Sequence, residues 1–215
     1  MFYNEIQSLA GIIKFMTNKN HSNNPTPYSY WAVPNKLLAG EYPGEQHPKN
    51  YLRTLVSKVY SILGFLSRPN QGVMNSDKRI KAIINSGINT FLDLTEIDEL
   101  PKYEHKINTI TDSHKDRINY KRMPIKDRTV PEKEYLKEIL DFIQEESKNG
   151  RKVYVHCLRG LGRTGTVVGC YLVRNGFKGE GALQEIYKLR QGMLNAWMQS
   201  PQTEEQIQTV INWKD

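Results

Sequence analysis

Val153-Tyr154-Val155-His156-Cys157-Leu158-Arg159-Gly160-Leu161-Gly162-Arg163-Thr164-Gly165-Thr166 is the stretch that decides how this chain reads. Its first residues are β-branched and aromatic and predict a buried strand. Residues 164–168 predict the start of a helix built on small side chains. Between them lies a glycine-broken turn, with Cys157 on one side, Arg163 on the other and five residues separating the two. A strand-to-helix turn aims successive backbone N–H groups at one point, and the helix N-terminus adds partial positive charge. Together they make a cradle for an anion. Such a cradle favours a thiolate, the nucleophilic form of cysteine, and holds it against whatever anion is bound.

Several known loops share parts of this pattern. Gly160-x-Gly162-x-x-Gly165 formally matches a dinucleotide-binding fingerprint. That reading is set aside because the fifty residues after Gly165 read as helices. Leu183, Ile186, Tyr187 and Arg190 fall on one, Ile207, Val210 and Ile211 on the next, and no further parallel strand with an acidic tip follows. Gly160 to Gly165 also fits the first half of an ATP-type phosphate loop, but Thr166-Val167 stands where Lys-Ser/Thr is required. The plain structural reading is a buried cysteine in a tight turn. Against it, His156-Cys157-x-x-Gly160-x-x-Arg163-Thr164-Gly165 resembles, at every fixed position, the signature loop of the protein-tyrosine and dual-specificity phosphatase superfamily. The closest resemblance is to compact bacterial-type dual-specificity-like members.

Strand and helix alternate along the chain, which predicts an α/β fold with a mostly parallel sheet covered by helices on both faces. The loop then lies at the carboxyl end of a strand, where such sheets bind ligands. The resemblance implies the same single-domain fold over residues 28–215, after an N-terminal extension and linker at 1–27. In the extension, Phe2, Ile6, Leu9, Ile13 and Met16 could line one side of a short helix. It has neither a basic leading region nor a small-residue cleavage site, so it does not read as a signal peptide. Residues 30–34 and 36–40 read as short strands. Leu52, Leu55, Val56, Val59, Ile62, Leu63 and Leu66 recur at helical spacing, and 48–75 reads as a helical insertion with a basic opposite side. A helix capped by Ser76 carries Ile80, Ile83 and Ile84 and ends at Gly87. Residues 88–95 form a strand, 96–104 an acidic loop, 118–124 an edge strand and 131–148 a helix.

The chain carries a net charge of +7. That favours acidic partners, for which phosphorylated substrates suffice. Two cysteines, one claimed by chemistry, argue against a disulfide framework and for a reducing, cytoplasmic setting. No run approaches the ~20 apolar residues of a membrane span.

Expelling a phenolate or alkoxide from phosphorus takes a proton, so a carboxylic acid is needed over the cradle. Pro124-Ile125-x-Asp127-x-x-x-Pro131 supplies one between strand and helix, thirty residues before Cys157, and resembles the family's mobile acid loop. Asp112 and Asp116 are alternatives, but they precede the strand. The resemblance implies the remaining roles. Cys157 is the nucleophile, and the amides of Leu158, Arg159, Gly160, Leu161, Gly162 and Arg163 bind phosphate oxygens together with the Arg163 fork. Thr164 donates a hydrogen bond to the Cys157 sulfur. His156 holds the loop through its ring nitrogens. Ser200-Pro201-Gln202-Thr203-x-x-Gln206 resembles the segment that positions the hydrolytic water, with Gln206 favoured over Gln202. The simpler account of that segment is a polar first helical turn capped by Ser200. No metal and no cofactor is called for.

Three functions fit. The first is a phosphatase of phosphotyrosine, phosphoserine or phosphothreonine proteins. The second is a phosphatase of phosphoinositides or RNA 5′ ends. Arg159 and the basic 49–81 region keep phosphoinositides open, while Asp127 counts against the RNA-end enzymes, so no nucleic-acid partner is expected. The third is a non-catalytic phosphate-binding module; such modules usually lose the cysteine, arginine or acid, and all three are present. A phosphotyrosine-recognition loop is not evident, which weakens strict phosphotyrosine selectivity.

Overall fold

The computed structural model describes residues 24–45, 74–111 and 118–215. The expected elements at 1–23 and within 46–73, and the alternative acids Asp112 and Asp116, lie outside the described residues. Among the described residues five strands form one sheet: β1 (Ser29–Val33), β2 (Leu37–Glu41), β3 (Thr90–Asp93), β4 (Asn119–Arg122) and β5 (Val153–Cys157). Their spatial order is β1-β2-β5-β3-β4. Only the β1–β2 hairpin is antiparallel; β5 lies between β2 and β3 and runs parallel to both, and β4 closes the other edge. The strand that ends in Cys157 is therefore central and buried throughout.

The helices are α1 (Ser76–Asn85), α2 (Glu104–Thr111), α3 (Lys133–Lys148), α4 (Gly162–Arg174), α5 (Gly179–Leu189) and α6 (Glu204–Ile211). A strand buried on both faces sends alternate side chains into two cores. From β5, Val153, Val155 and Cys157 join one core with Leu136, Ile139 and Leu140 of α3 and Val167 and Val168 of α4. Tyr154, between them, joins the other, with Ile80 and Ile83 of α1 and Ile107 of α2. Helices thus cover both faces, as the alternation predicts.

Two details differ from the sequence reading. The cap of α1 is Asn75, whose side chain accepts the Lys78 N–H at 2.9 Å, one residue before the expected Ser76. Helix α2 forms where the sequence shows little apolar periodicity, and only Ile107 of its residues is buried. Among the described residues no helix is long and apolar enough to cross a membrane.

Candidate active site

β5 ends at Cys157 and α4 begins at Gly162, so the turn between them builds the cradle. It is braced from β2. The Tyr42 N–H donates to the Leu158 carbonyl at 3.2 Å, and the Tyr154 hydroxyl donates to the Glu41 carbonyl at 2.5 Å. Gly160 sits at φ 68°, and a Cβ there would stand 2.4 Å from the Gly40 carbonyl carbon. Both the torsion and the approach require glycine. On the far side Asn195 Nδ2 donates to the Arg159 carbonyl at 3.4 Å, and Arg190 holds Asn195 through its carbonyl at 2.8 Å. Leu161 is fully buried under the turn, while Arg159 stands exposed at its mouth.

Cys157 is 3% exposed, at the base of the turn. Arg163, at the start of α4, is buried and held from three sides. Nη1 and Nη2 meet the two oxygens of Glu99 at 2.6 Å each. Nη1 also donates to the carbonyls of Ile125 at 3.1 Å and Leu94 at 3.4 Å. Burial works against the guanidinium charge, and Glu99, Cys157 and Asp127 outweigh it. Burial likewise disfavours the Glu99 charge, but the Arg163 hydrogen bonds hold its carboxyl below the usual glutamate range. Arg163 Nε is buried and makes no hydrogen bond. Glu99 occupies one edge of the guanidinium, so the Nε–Nη2 edge is the one left for an oxyanion.

Asp127 comes to that edge. Its Oδ1 lies 3.0 Å from Arg163 Nη2, and its side chain is 55% exposed. Its loop is tied down on either side: the Asp127 N–H donates to Glu96 Oε2 at 3.1 Å, and the Thr129 carbonyl accepts from Gln206 Nε2 at 3.1 Å. Arg128, between them, takes a left-handed φ of 62°. Sequence and structure thus bring Cys157, Arg163 and Asp127 to one place. An open cleft of about 650 Å³ runs beside them, lined by Glu96, Ile97, Asp98, Glu99, Pro124 and Lys126.

His156 is completely buried in an aromatic cage. Its ring stacks on Tyr154 at 5.5 Å, meets Tyr42 edge-on and lies tilted against Tyr103. Burial pushes the imidazole down from its ordinary value, while Asp93 and the Cys157 backbone pull the other way. Burial also keeps the Tyr103 phenol protonated. The Tyr103 hydroxyl and His156 Nε2 share a hydrogen bond at 2.5 Å, while Nδ1 is buried without a hydrogen-bond partner, 3.9 Å from Asp93 Oδ1. Asp93 in turn accepts from Thr95 on one oxygen, and from Tyr120 at 2.6 Å and Arg122 at 2.9 Å on the other.

Two expected roles change. Thr164 is buried in the first turn of α4 and its Oγ1 has no hydrogen-bond partner, so the expected bond to the Cys157 sulfur is not formed. Gln206 is fully buried, and its amide makes three hydrogen bonds within the protein. Oε1 accepts the N–H groups of Gln202 and Thr203, and Nε2 holds Thr129. The cap of α6 is Thr203, in a reciprocal capping box with Gln206, while Ser200 donates instead to the Leu161 carbonyl at 2.8 Å. The side-chain oxygens of Gln202 and Gln206 both border Gly162, within 3.2 Å of where a Cβ would stand. Of the two glutamines, Gln202 is the one whose side chain is not used as a cap.

Glu99, Glu96, Tyr103, Asp93 and Asn195 join the site only through the tertiary fold. Glu96 and Glu99 sat in the acidic loop, where spacing alone does not say which carboxylate turns inward. Cys170 is buried in α4, where burial pushes its thiol up, and neither cysteine is bonded to the other. Among the described residues no group of three or more His, Cys, Asp and Glu side chains is arranged to hold a metal ion.

The chain is similar to known proteins. A family model described as "Polymorphic toxin system, DSP-PTPase phosphatase" matches residues 67–177. The tyrosine-protein phosphatase CDC14 of Saccharomyces cerevisiae is 28% identical over 162 residues, 74% of this chain and 25% of that protein. The phosphatidylinositol 3,4,5-trisphosphate 3-phosphatase and protein-tyrosine-phosphatase PTEN1 of Arabidopsis thaliana is 27% identical over 182 residues, 77% of this chain and 43% of that protein. The chain thus spans a quarter to less than half the length of these relatives. Among solved structures, Tk-PTP in its active form superposes with a TM-score of 0.52 at 28% identity, over 65% of this chain and 86% of that one.

Proposed function

From the premise that this chain belongs to the DSP-PTPase phosphatase family of polymorphic toxin systems, we propose that it hydrolyses phosphomonoesters on protein tyrosine, serine or threonine through a phosphocysteine on Cys157. The observation that carries this reading is the convergence of three groups. Cys157 lies at the base of the turn, Arg163 interacts electrostatically with it and keeps Nε unpaired, and Asp127 lies 3.0 Å from Arg163 Nη2.

The phosphoryl group binds with its oxygens on the amides of residues 158–163 and on the free edge of Arg163, displacing the Asp127 carboxylate from Nη2, and the freed carboxylate takes up a proton from solvent. The Cys157 thiolate attacks phosphorus, and a P–S bond forms as the P–O bond to the leaving group breaks. Asp127 gives its proton to the departing oxygen. Water then attacks phosphorus, its proton passes to Asp127, and the P–S bond breaks to return the thiolate and release phosphate. Arg163 follows the charge on the equatorial oxygens throughout, as a planar fork suited to two of them.

Phosphoproteins are the substrate class favoured here. The toxin setting named by the family fits an effector that strips phosphate from the proteins of a target cell. Phosphoinositides are the second reading, favoured by the likeness to PTEN1 and by Lys126, Arg128 and Arg159, which stand exposed around the site. A panel of phosphotyrosine, phosphoserine and phosphothreonine peptides and phosphoinositide vesicles, assayed for phosphate release, ranks the two. Rapid acid quench during turnover, followed by mass spectrometry of the Cys157 peptide, tests the intermediate. Release of phosphate with no mass gain on Cys157 at any time point rejects the phosphocysteine route.

A further inference from the structure

Four side chains close a ring at the mouth of the site. Arg163 binds both oxygens of Glu99 at 2.6 Å. Glu99 Oε2 accepts the backbone N–H of Glu96 at 3.1 Å. Glu96 Oε2 accepts the backbone N–H of Asp127 at 3.1 Å. Asp127 Oδ1 returns to Arg163 Nη2 at 3.0 Å. The arginine that grips the anion therefore fixes one carboxylate, which sets the main chain of the next, whose side chain sets the loop bearing the acid.

From this ring we propose that Glu96 is a positioning residue, a carboxylate latch that holds the Asp127 loop over the cradle. The loop needs a latch. Residues 126–129 turn tightly, with the Thr129 N–H on the Lys126 carbonyl at 3.3 Å. Arg128 is a non-glycine residue at φ 62°, a conformation that persists only where surrounding contacts impose it. Asp127 is more than half exposed, so packing does little to fix it. The Glu96 carboxylate binds the N–H of the acid residue itself and leaves its side chain free to move a proton. When a phosphoryl group takes the Nη2 position from Asp127, the side-chain link of the ring opens. The Glu96 link does not, and it keeps the carboxyl group within reach of the leaving oxygen. Glu96 touches neither the substrate nor the reacting atoms and acts through Asp127.

This inference rests on the reading of Asp127 as the acid, and the test separates the two. Wild type, Glu96→Ala, Glu96→Gln and Asp127→Ala are compared on two substrates. One is an aryl phosphate whose leaving group needs no proton, the other a phosphotyrosine peptide whose leaving group does. Glu96→Ala is expected to lower kcat on the peptide by between about tenfold and a hundredfold, the scale of a displaced catalytic group. On the activated aryl phosphate it is expected to change kcat by less than about threefold, because no proton transfer is at stake there. Glu96→Gln, whose amide oxygen still accepts the Asp127 N–H, is expected to recover most of the loss. Hydrogen exchange at the Asp127 amide gives a readout that needs no activity. Protection falls in Glu96→Ala and returns in Glu96→Gln. If Asp127→Ala shows the leaving-group dependence and Glu96→Ala loses equally on both substrates, or on neither, the latch is wrong and the acid assignment stands. If Asp127→Ala lacks the dependence as well, both fall.

Discussion

Arg163 and Glu99 meet edge to edge, Nη1 on Oε2 and Nη2 on Oε1, both at 2.6 Å, with Arg163 1% and Glu99 17% exposed. This pairing fixes the plane of the guanidinium and thereby decides which of its edges is left for another partner. A charge buried this deeply is tolerated because its partner is bidentate and carbonyls of Leu94 and Ile125 accept from Nη1 as well, while Asp127 meets Nη2 and Nε alone is left without a partner.

Glu99→Ala should therefore strand Arg163 without its carboxylate. We expect a loss of about 2–3 kcal/mol in stability, below the usual range for a fully buried pair because Glu99 keeps some contact with water. Vanadate affinity should fall together with kcat/KM, since the fork is no longer oriented. Chemical denaturation and vanadate titration measure the two. Unchanged vanadate affinity would mean that Glu99 supports the fold alone. Arg163→Lys should be as damaging to turnover, because a point charge cannot replace the fork.

Cys157→Ser should abolish turnover and leave oxyanion binding in place. A hydroxyl does not supply the thiolate, while the amides and Arg163 are untouched. Calorimetry with inorganic phosphate, alongside an aryl phosphatase assay, checks both halves. Steady turnover by the serine variant at even about a tenth of wild type, far above what loss of a nucleophile leaves, would remove Cys157 from the mechanism.

Asp127→Ala should cost about 10²–10⁴-fold in kcat on phosphopeptides, the usual span of general acid catalysis. The cost on an activated aryl phosphate should be much smaller. A plot of log kcat against leaving-group pKa should steepen in the variant. An unchanged slope would make Asp127 a loop residue and nothing more.

Gln206→Ala tests whether that glutamine acts as a structural tie or positions water. It removes the capping box of α6 and the tie to Thr129, so stability should fall by about 1–2 kcal/mol. The partition of the phosphoryl group between water and an added alcohol should stay as in wild type. A shift of that partition toward the alcohol would restore Gln206 to water positioning.

Stability should depend on His156 at mildly acidic pH. The folded protein holds this imidazole below its ordinary value of 6.5, because it is buried. The unfolded chain therefore binds the proton first, and stability is fully present above about pH 6.5 and falls as pH drops through the range below it. Asp93 and Glu99, held below the usual carboxylate range, add a second loss at still lower pH. Thermal melts of wild type between pH 7 and 4 should show the first loss, and His156→Asn should lack it. Parallel curves for the two proteins would place the acid sensitivity elsewhere.

The sequence by itself determined the parts whose chemistry is local. A β-branched run, a glycine that must take a left-handed φ and a small-residue helix start lie next to one another in the chain. Backbone sterics and the helix dipole therefore specify the cradle, its cysteine and its arginine without reference to anything distant. The alternation of strand and helix specified a parallel sheet for a similar reason, since each period is read over a few residues. Tertiary structure decided what reaches the cradle from elsewhere. Which acidic residue between 96 and 104 faces inward depends on where Arg163 lies, and so Glu99 and Glu96 stood among their neighbours without distinction. Gln206 looked like a residue over the active site because it is near one, but two N–H groups at the start of α6 and one carbonyl of the acid loop claim its amide first. A buried polar group must satisfy the nearest partners the fold gives it, and those partners are set by packing across the chain rather than by spacing along it.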